Sequence, residues 1–134
     1  MIDDLIKSTR SFRRFDQGIN VERKTLEDLI DLARHSASAR NIQPLKYILS
    51  CDPETNGKIF STLKFAAALK DWDGPTEGER PAAYTIILGD TAISTNFWCD
   101  HGIAAQNIML GARDRDLGGC MIASINQPKL RELL

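Results

Sequence analysis

Apolar residues surround one stretch of the chain, Thr95 to Asp116. Phe97, Ile103, Ala104, Ala105, Ile108, Met109, Leu110 and Ala112 leave no wide polar face before the Arg113-Asp114-Arg115-Asp116 quartet. Helical length, absence of proline and apolar positions all round predict a buried central helix, covered by other layers of the fold or by a second subunit. Asp100, His101, Gln106 and Asn107 interrupt the run, whereas a membrane span needs about 18 or more apolar residues in succession.

The rest of the chain divides into shorter elements. Ile2, Leu5 and Ile6 recur at helical spacing within Met1 to Thr9, with Asp3 and Asp4 where they favour a helix start. After the loop Asp16 to Asn20, Asn20 is the expected cap of a helix whose apolar stripe is Leu26, Leu29, Ile30 and Ala33. His35 stands at its end, where a cation is favoured. Pro44, which has no N–H for a ladder, precedes a strand-like run from Leu45 to Cys51. Asp52-Pro53 starts the next helix, and Ile59, Phe60, Leu63, Ala66, Ala67 and Leu69 continue an apolar pattern through one or two short helices. Asp71 to Pro81 contains Gly74, Pro75, Gly78 and Trp72, and predicts a long surface loop, with Trp72 covering the core edge rather than stacking on a ligand. Ala83 to Gly89 and Cys120 to Ser124 are expected as buried strands, and Asn126 as the cap of a last helix bearing Leu130, Leu133 and Leu134.

Composition narrows the functional classes. A chain of 134 residues is of single-domain size. Lys and Arg number 17 against 18 Asp and Glu, a balance that argues against a nucleic-acid or anionic-membrane partner, both of which select positive charge. Cys51, Cys99 and Cys120 are odd in number and form no CxxC pair, unlike a secreted disulfide framework, so a reducing cytoplasm is expected. No apolar signal core follows Asp3 and Asp4. With only His35 and His101 present, no metal site is indicated.

Two loops offer chemistry. In Arg10-Ser11-Phe12-Arg13-Arg14-Phe15, an extended backbone would turn Phe12 one way and Arg13 the other, placing Arg10, Ser11 and Arg13 where they can hold an anion such as phosphate. The plain alternative is a solvated basic turn. Ser36-Ala37-Ser38-Ala39-Arg40-Asn41-Ile42-Gln43-Pro44 leads into a strand and can present hydroxyl, amide and backbone groups to the polar edge of a flat heterocycle. Its alternative is a capped helix end followed by a turn. No Ser, His and Asp set at convincing spacing suggests hydrolysis, and no Gly-rich nucleotide fingerprint is present.

Together these landmarks resemble the nitroreductase family. Arg10 to Phe15 is similar to its R-S-x-R-x-F segment and Ser38 to Pro44 to its S-x-x-N-x-Q-P loop. Asp100-His101-Gly102-Ile103-Ala104-Ala105-Gln106-Asn107-Ile108-Met109-Leu110 resembles its central helix, and Leu117-Gly118-Gly119-Cys120 the glycine turn that follows. The resemblance implies an α+β fold, a three-layer α/β/α sandwich with a central mixed sheet, helices on both faces and the long central helix buried. It implies FMN at the interface of a homodimer, NADH or NADPH as hydride donor, and ping-pong transfer to a small acceptor such as a nitro compound or quinone. Arg10, Ser11 and Arg13 would contact the FMN phosphate and the ribityl or ring edge. Ser38 and Asn41 would reach the isoalloxazine, often from the opposite subunit, Gln43 would shape the loop, and Gly118 and Gly119 would let backbone approach the flavin. No protein residue is assigned as catalytic, since the chemistry is the flavin's. Arg13 or a neighbouring basic group is the candidate to stabilise negative charge at the flavin N1 and O2 edge. Two family features differ: Leu45 stands where tryptophan is usual, and Arg40 where glycine is common. Family members continue beyond the position of Leu134 through another strand and helix, whose basic residue joins the phosphate site. Dehalogenation, flavin breakdown, or flavin binding without catalysis stand as alternatives on the same fold.

Overall fold

The computed structural model describes residues Met1–Leu134. Its elements in order are α1 (Ile2–Ser8), α2 (Arg23–Arg34), a 3-10 turn (Ala39–Asn41), β1 (Leu45–Ser50), α3 (Pro53–Phe60), β2 (Tyr84–Gly89), α4 (Asp100–Asp114) and α5 (Gln127–Leu133). Local chemistry explains most boundaries. Asp52 accepts the Thr55 N–H at 2.8 Å with Pro53 in the first turn of α3, and Asn126 accepts the Lys129 N–H at 3.1 Å at the start of α5. The α2 helix starts after Glu22 rather than at Asn20, without a side-chain cap, and buries Leu26, Leu29 and Ala33 as its stripe predicts.

The central helix is shorter than its sequence predicts and is only partly covered within this chain. Between Ser94 and Trp98 the backbone is taken up by local side-chain bonds. Ser94 Oγ donates to the Asn96 carbonyl at 2.7 Å and accepts the Asn96 N–H at 3.2 Å, and Asn96 Oδ1 accepts the Trp98 N–H at 3.0 Å. Such turns compete with helical bonding, so α4 begins only at Asp100. Along α4 the buried residues are Asp100, Ala104, Gly111 and Ala112, while Ile103 on another face is 39% exposed. At Gly111 the helix approaches α2 so closely that an added Cβ would lie 2.4 Å from Leu32 Cδ1 and 3.0 Å from Leu29 Cδ2.

The sheet within this chain has two strands. β1 and β2 pair antiparallel from Leu45 opposite Gly89 to Ser50 opposite Tyr84. Both strands are only partly covered, with Ile48 and Leu88 exposed, so the buried strand expected at 83–89 is half-buried within this chain. The expected strand Cys120 to Ser124 is not formed as one. A strand needs a continuous ladder, and this segment is met at its two ends only, by a parallel bridge from Ser11 to Gly119 and an antiparallel bridge from Leu63 to Ile125. The mixed central sheet is thus represented by one antiparallel strand pair, one parallel bridge and one antiparallel bridge, and the architecture is α+β.

The covered core is small. It comprises Leu26, Leu29, Ala33, Ile59, Phe65, Ala104, Ala112 and Leu130. The accessible surface is 8875 Å², against about 7,000 Å² for a compact monomer of this mass. Among the exposed side chains are the large apolar Ile2, Ile6, Ile93, Trp98, Ile103 and Met121. No helix is long and apolar enough to cross a membrane.

Candidate functional site

The basic segment is positioned by the end of α1 and by the glycine turn. The Thr9 hydroxyl and N–H both bond to the Leu5 carbonyl, at 2.7 and 3.0 Å, and close the helix. The chain then runs beside the turn after α4, Ser11 bridging to Gly119 and the Phe12 N–H donating to the Gly119 carbonyl at 2.9 Å. Arg10, Ser11 and Arg13 are exposed. Arg13 Nη1 donates to the Ser11 carbonyl at 3.2 Å. Neither Arg10 nor Arg13 has a carboxylate in ion-pair range, and the Ser11 hydroxyl has no partner, whereas Arg14 is held 3.8 Å from Glu79 and 5.9 Å over the Trp72 ring. Trp72 is therefore engaged by Arg14 at the loop edge. Burial pushes the Cys120 thiol pKa up, and the neighbouring Arg13 charge partly opposes that shift.

Gly118 and Gly119 are explained by packing within the chain. An added Cβ at Gly118 would lie 2.7 and 2.9 Å from Phe12 Cδ2 and Cγ, and at Gly119 2.6 Å from Met109 Sδ. The space beside these glycines is filled by Phe12 and Met109, which seat the basic segment and the turn against α4.

The second cluster hangs from the start of α4. Ser38 Oγ donates to Asp100 Oδ2 at 2.5 Å and accepts the Gln43 N–H at 2.9 Å, while the Ala39 N–H donates to Asp100 Oδ1 at 3.1 Å. Asn107 Nδ2 donates to Ser36 Oγ at 2.8 Å. Asp100 and Asn107 are seven residues apart and share one helix face with Ala104, so α4 grips the loop at two points. The hydrogen bond from Ser38, then that from Ala39, holds the Asp100 carboxyl below its ordinary pKa, against the opposing effect of desolvation; the nearby His101 adds a smaller push in the same direction. Beyond Ala39 the backbone is strained: Arg40, Asn41 and Gln43 have φ of 55°, 56° and 55°. For L residues this left-handed region costs roughly 1–2 kcal/mol each, with asparagine the most tolerant. A glycine at the place of Arg40 would adopt this conformation without that cost. Asn41 Oδ1 accepts Gln43 Nε2 at 2.7 Å, which leaves the Asn41 amide N–H groups unspent on an exposed residue.

The structure thus brings Arg10, Ser11, Arg13, Gly118 and Gly119 together, and separately Ser38, Asn41 and Gln43. No hydrogen bond or ion pair joins the two groups. The loop is tied to Asp100 and the glycine turn to Met109, nine residues further along α4, or about 14 Å of helix. Two surface depressions, one lined by Lys24, Glu27, Asp28, Asp31, Leu32 and Arg115 and the other partly by Met1, Ile2 and Arg113, contain none of these residues. Asp100 and Asn107 have roles that the site reading of the sequence did not assign. Their signal is present there, as polar residues at i and i+7 in an otherwise apolar helix.

Comparisons with known proteins show the family and the fold. The family described as "Nitroreductase family" matches residues 6–134. Among solved structures, the chain is 25% identical to a Parabacteroides distasonis protein bearing the name NADH dehydrogenase/NAD(P)H nitroreductase, covering 97% of this chain and 72% of that one with a TM-score of 0.72. A nitroreductase family protein from Clostridium novyi is 24% identical, with 98% and 74% covered and a TM-score of 0.77. An Exiguobacterium sibiricum protein named as a nitroreductase, solved in complex with FMN, is 15% identical, with 99% and 79% covered and a TM-score of 0.79. No curated protein matches. The match over nearly the whole chain, on a fold shared with these structures, makes this protein a member of the nitroreductase family.

Proposed function

We infer that the protein is an FMN-dependent oxidoreductase that takes hydride from NADH or NADPH and passes it to a nitro compound, quinone or similar small acceptor, alternately binding donor and acceptor at one site. One observation carries the reading: Arg10 and Arg13 are free of carboxylates on either side of an unpartnered Ser11 hydroxyl. That donor set fits a phosphate, which guanidinium groups meet with paired N–H donors and a hydroxyl can complete. Arg10, Ser11 and Arg13 would hold the FMN phosphate. Asn41, whose amide N–H groups are unspent, would donate to the edge of the ring, with Gln43 bracing its carbonyl. Gly118 and Gly119 would support the phosphate side indirectly, through Phe12 and Met109. When bound, the flavin supplies the two-electron hydride chemistry. Names of the structural relatives, one with NAD(P)H and one with FMN, support the same donor and cofactor. Three unpaired cysteines accord with a cytoplasmic setting.

The two clusters lie on separate parts of α4, and the accessible surface, which includes many large apolar side chains, exceeds that of a compact monomer. Both observations support a homodimer in which the basic segment of one subunit and the Ser38 to Gln43 loop of the other enclose the cofactor. Sedimentation at micromolar concentration is therefore expected to give a dimer with one FMN per chain. A well-folded monomer that retains flavin would contradict the shared site.

A further inference from the structure

Asp100 is 3% exposed, and both of its carboxylate oxygens serve the loop, one accepting the Ser38 hydroxyl and the other the Ala39 N–H. The loop's far end closes on the same hydroxyl, through the Gln43 N–H. Between these two ties the backbone passes through left-handed conformations at Arg40, Asn41 and Gln43, none of them glycine. Such a path persists only where surrounding bonds over-determine it. Asn107 adds the second grip, on Ser36. No basic side chain from another element forms an ion pair with Asp100; it is met by the Ser38 and Ala39 donors and, on its own helix, by His101.

We propose that Asp100 is the positioning residue of the flavin-edge loop: through Ser38 and Ala39 it fixes the strained turn that aims Asn41, and its removal lets the turn relax. For what the loop meets, this rests on the flavin reading; the clamp itself does not. Ser38 is then a relay rather than a ring contact. Its single proton goes to Asp100, and Gln43 N–H takes an acceptor site on its oxygen.

Arg40 is exposed in the middle of the turn and is a trypsin site, so loop opening has a readout independent of flavin. Asp100→Asn keeps the size of the side chain but leaves one acceptor where two donors converge. Cleavage after Arg40 in the apoprotein is expected to accelerate about 10- to 100-fold over the parent, with other sites unchanged. In the holoprotein the same variant should weaken FMN and riboflavin by one common factor of similar size and shift the flavin reduction potential, because only the ring end is disturbed. Ser38→Ala should act in the same direction and serves if Asp100→Asn does not fold. Folded variants nicked after Arg40 at the parent rate would overturn the clamp. Faster nicking with unchanged affinity and potential would overturn the positioning role. A parent that takes up no flavin would overturn the functional reading and the ring contact with it, while the nicking comparison would still decide the clamp.

Discussion

Replacing Arg10 and Arg13 together by alanine is expected to lower FMN affinity by about 100- to 10,000-fold while riboflavin affinity barely moves. Each charge-assisted contact to a phosphate contributes on the order of 1.5–3 kcal/mol, or roughly 10- to 100-fold in affinity. The two arginines flank one hydroxyl and would share one phosphate, so the double change need not equal the product of the single ones. Riboflavin keeps the ring and ribityl chain but lacks the phosphate, and titrating both ligands into parent, Arg10→Ala, Arg13→Ala and the double variant separates the possibilities. Loss confined to FMN places both side chains on the phosphate. Equal loss for both ligands with Arg13→Ala moves that residue to the ring edge, and no loss for either returns the segment to a solvated basic turn. The exposure of both side chains makes an effect on folding small, so a changed affinity is not a disguised change in stability.

The largest expected effect on stability comes from Ile59→Ala. Ile59 is 2% exposed, on α3 where that helix packs against α5, and it is among the few apolar side chains that this chain covers completely. Truncation removes buried methyl groups and leaves a cavity that neighbours fill only in part, a cost of about 2–5 kcal/mol. Domains of this kind are stable by roughly 5–15 kcal/mol, so the variant should lose a large share of its stability. The denaturant midpoint, measured at one fixed protein concentration so that any dimer equilibrium is held constant, reads this directly. A shift below about 0.5 kcal/mol, the range of surface substitutions, would mean that the α3 to α5 seam is not core.

Periodicity and capping signals revealed the elements whose structure is locally determined. Leu26, Leu29 and Ala33 face inward on α2, Asp52 and Asn126 cap α3 and α5, and Pro44 leads into β1. The early expected start of α4 fails because Ser94 and Asn96 divert the backbone into local turns, a competition that apolar counting does not weigh. Cys120 to Ser124 has the composition of a strand but lacks a partner ladder, which is a tertiary property. At the site, the residue types were legible but some of their tasks were not. Ser38, expected to reach the ring, gives its one proton to Asp100 and one acceptor site to the Gln43 N–H. Gly118 and Gly119, expected to let backbone approach the flavin, have Phe12 and Met109 packed where a Cβ would stand. Backbone strain at Arg40, Asn41 and Gln43 is set by ties to α4, more than fifty residues away in sequence, and only the replacement of the usual glycine by Arg40 hinted at it.

The composite flavin site is tested most directly by the colour of the purified protein and its response to reduced nicotinamide under anaerobic conditions. The protein should be yellow, or become so on addition of FMN, should bleach with NADH or NADPH, and should regain its colour when a nitro compound or quinone is added. A folded protein that takes up no FMN, or one whose bound flavin is bleached by neither nicotinamide, would contradict the account.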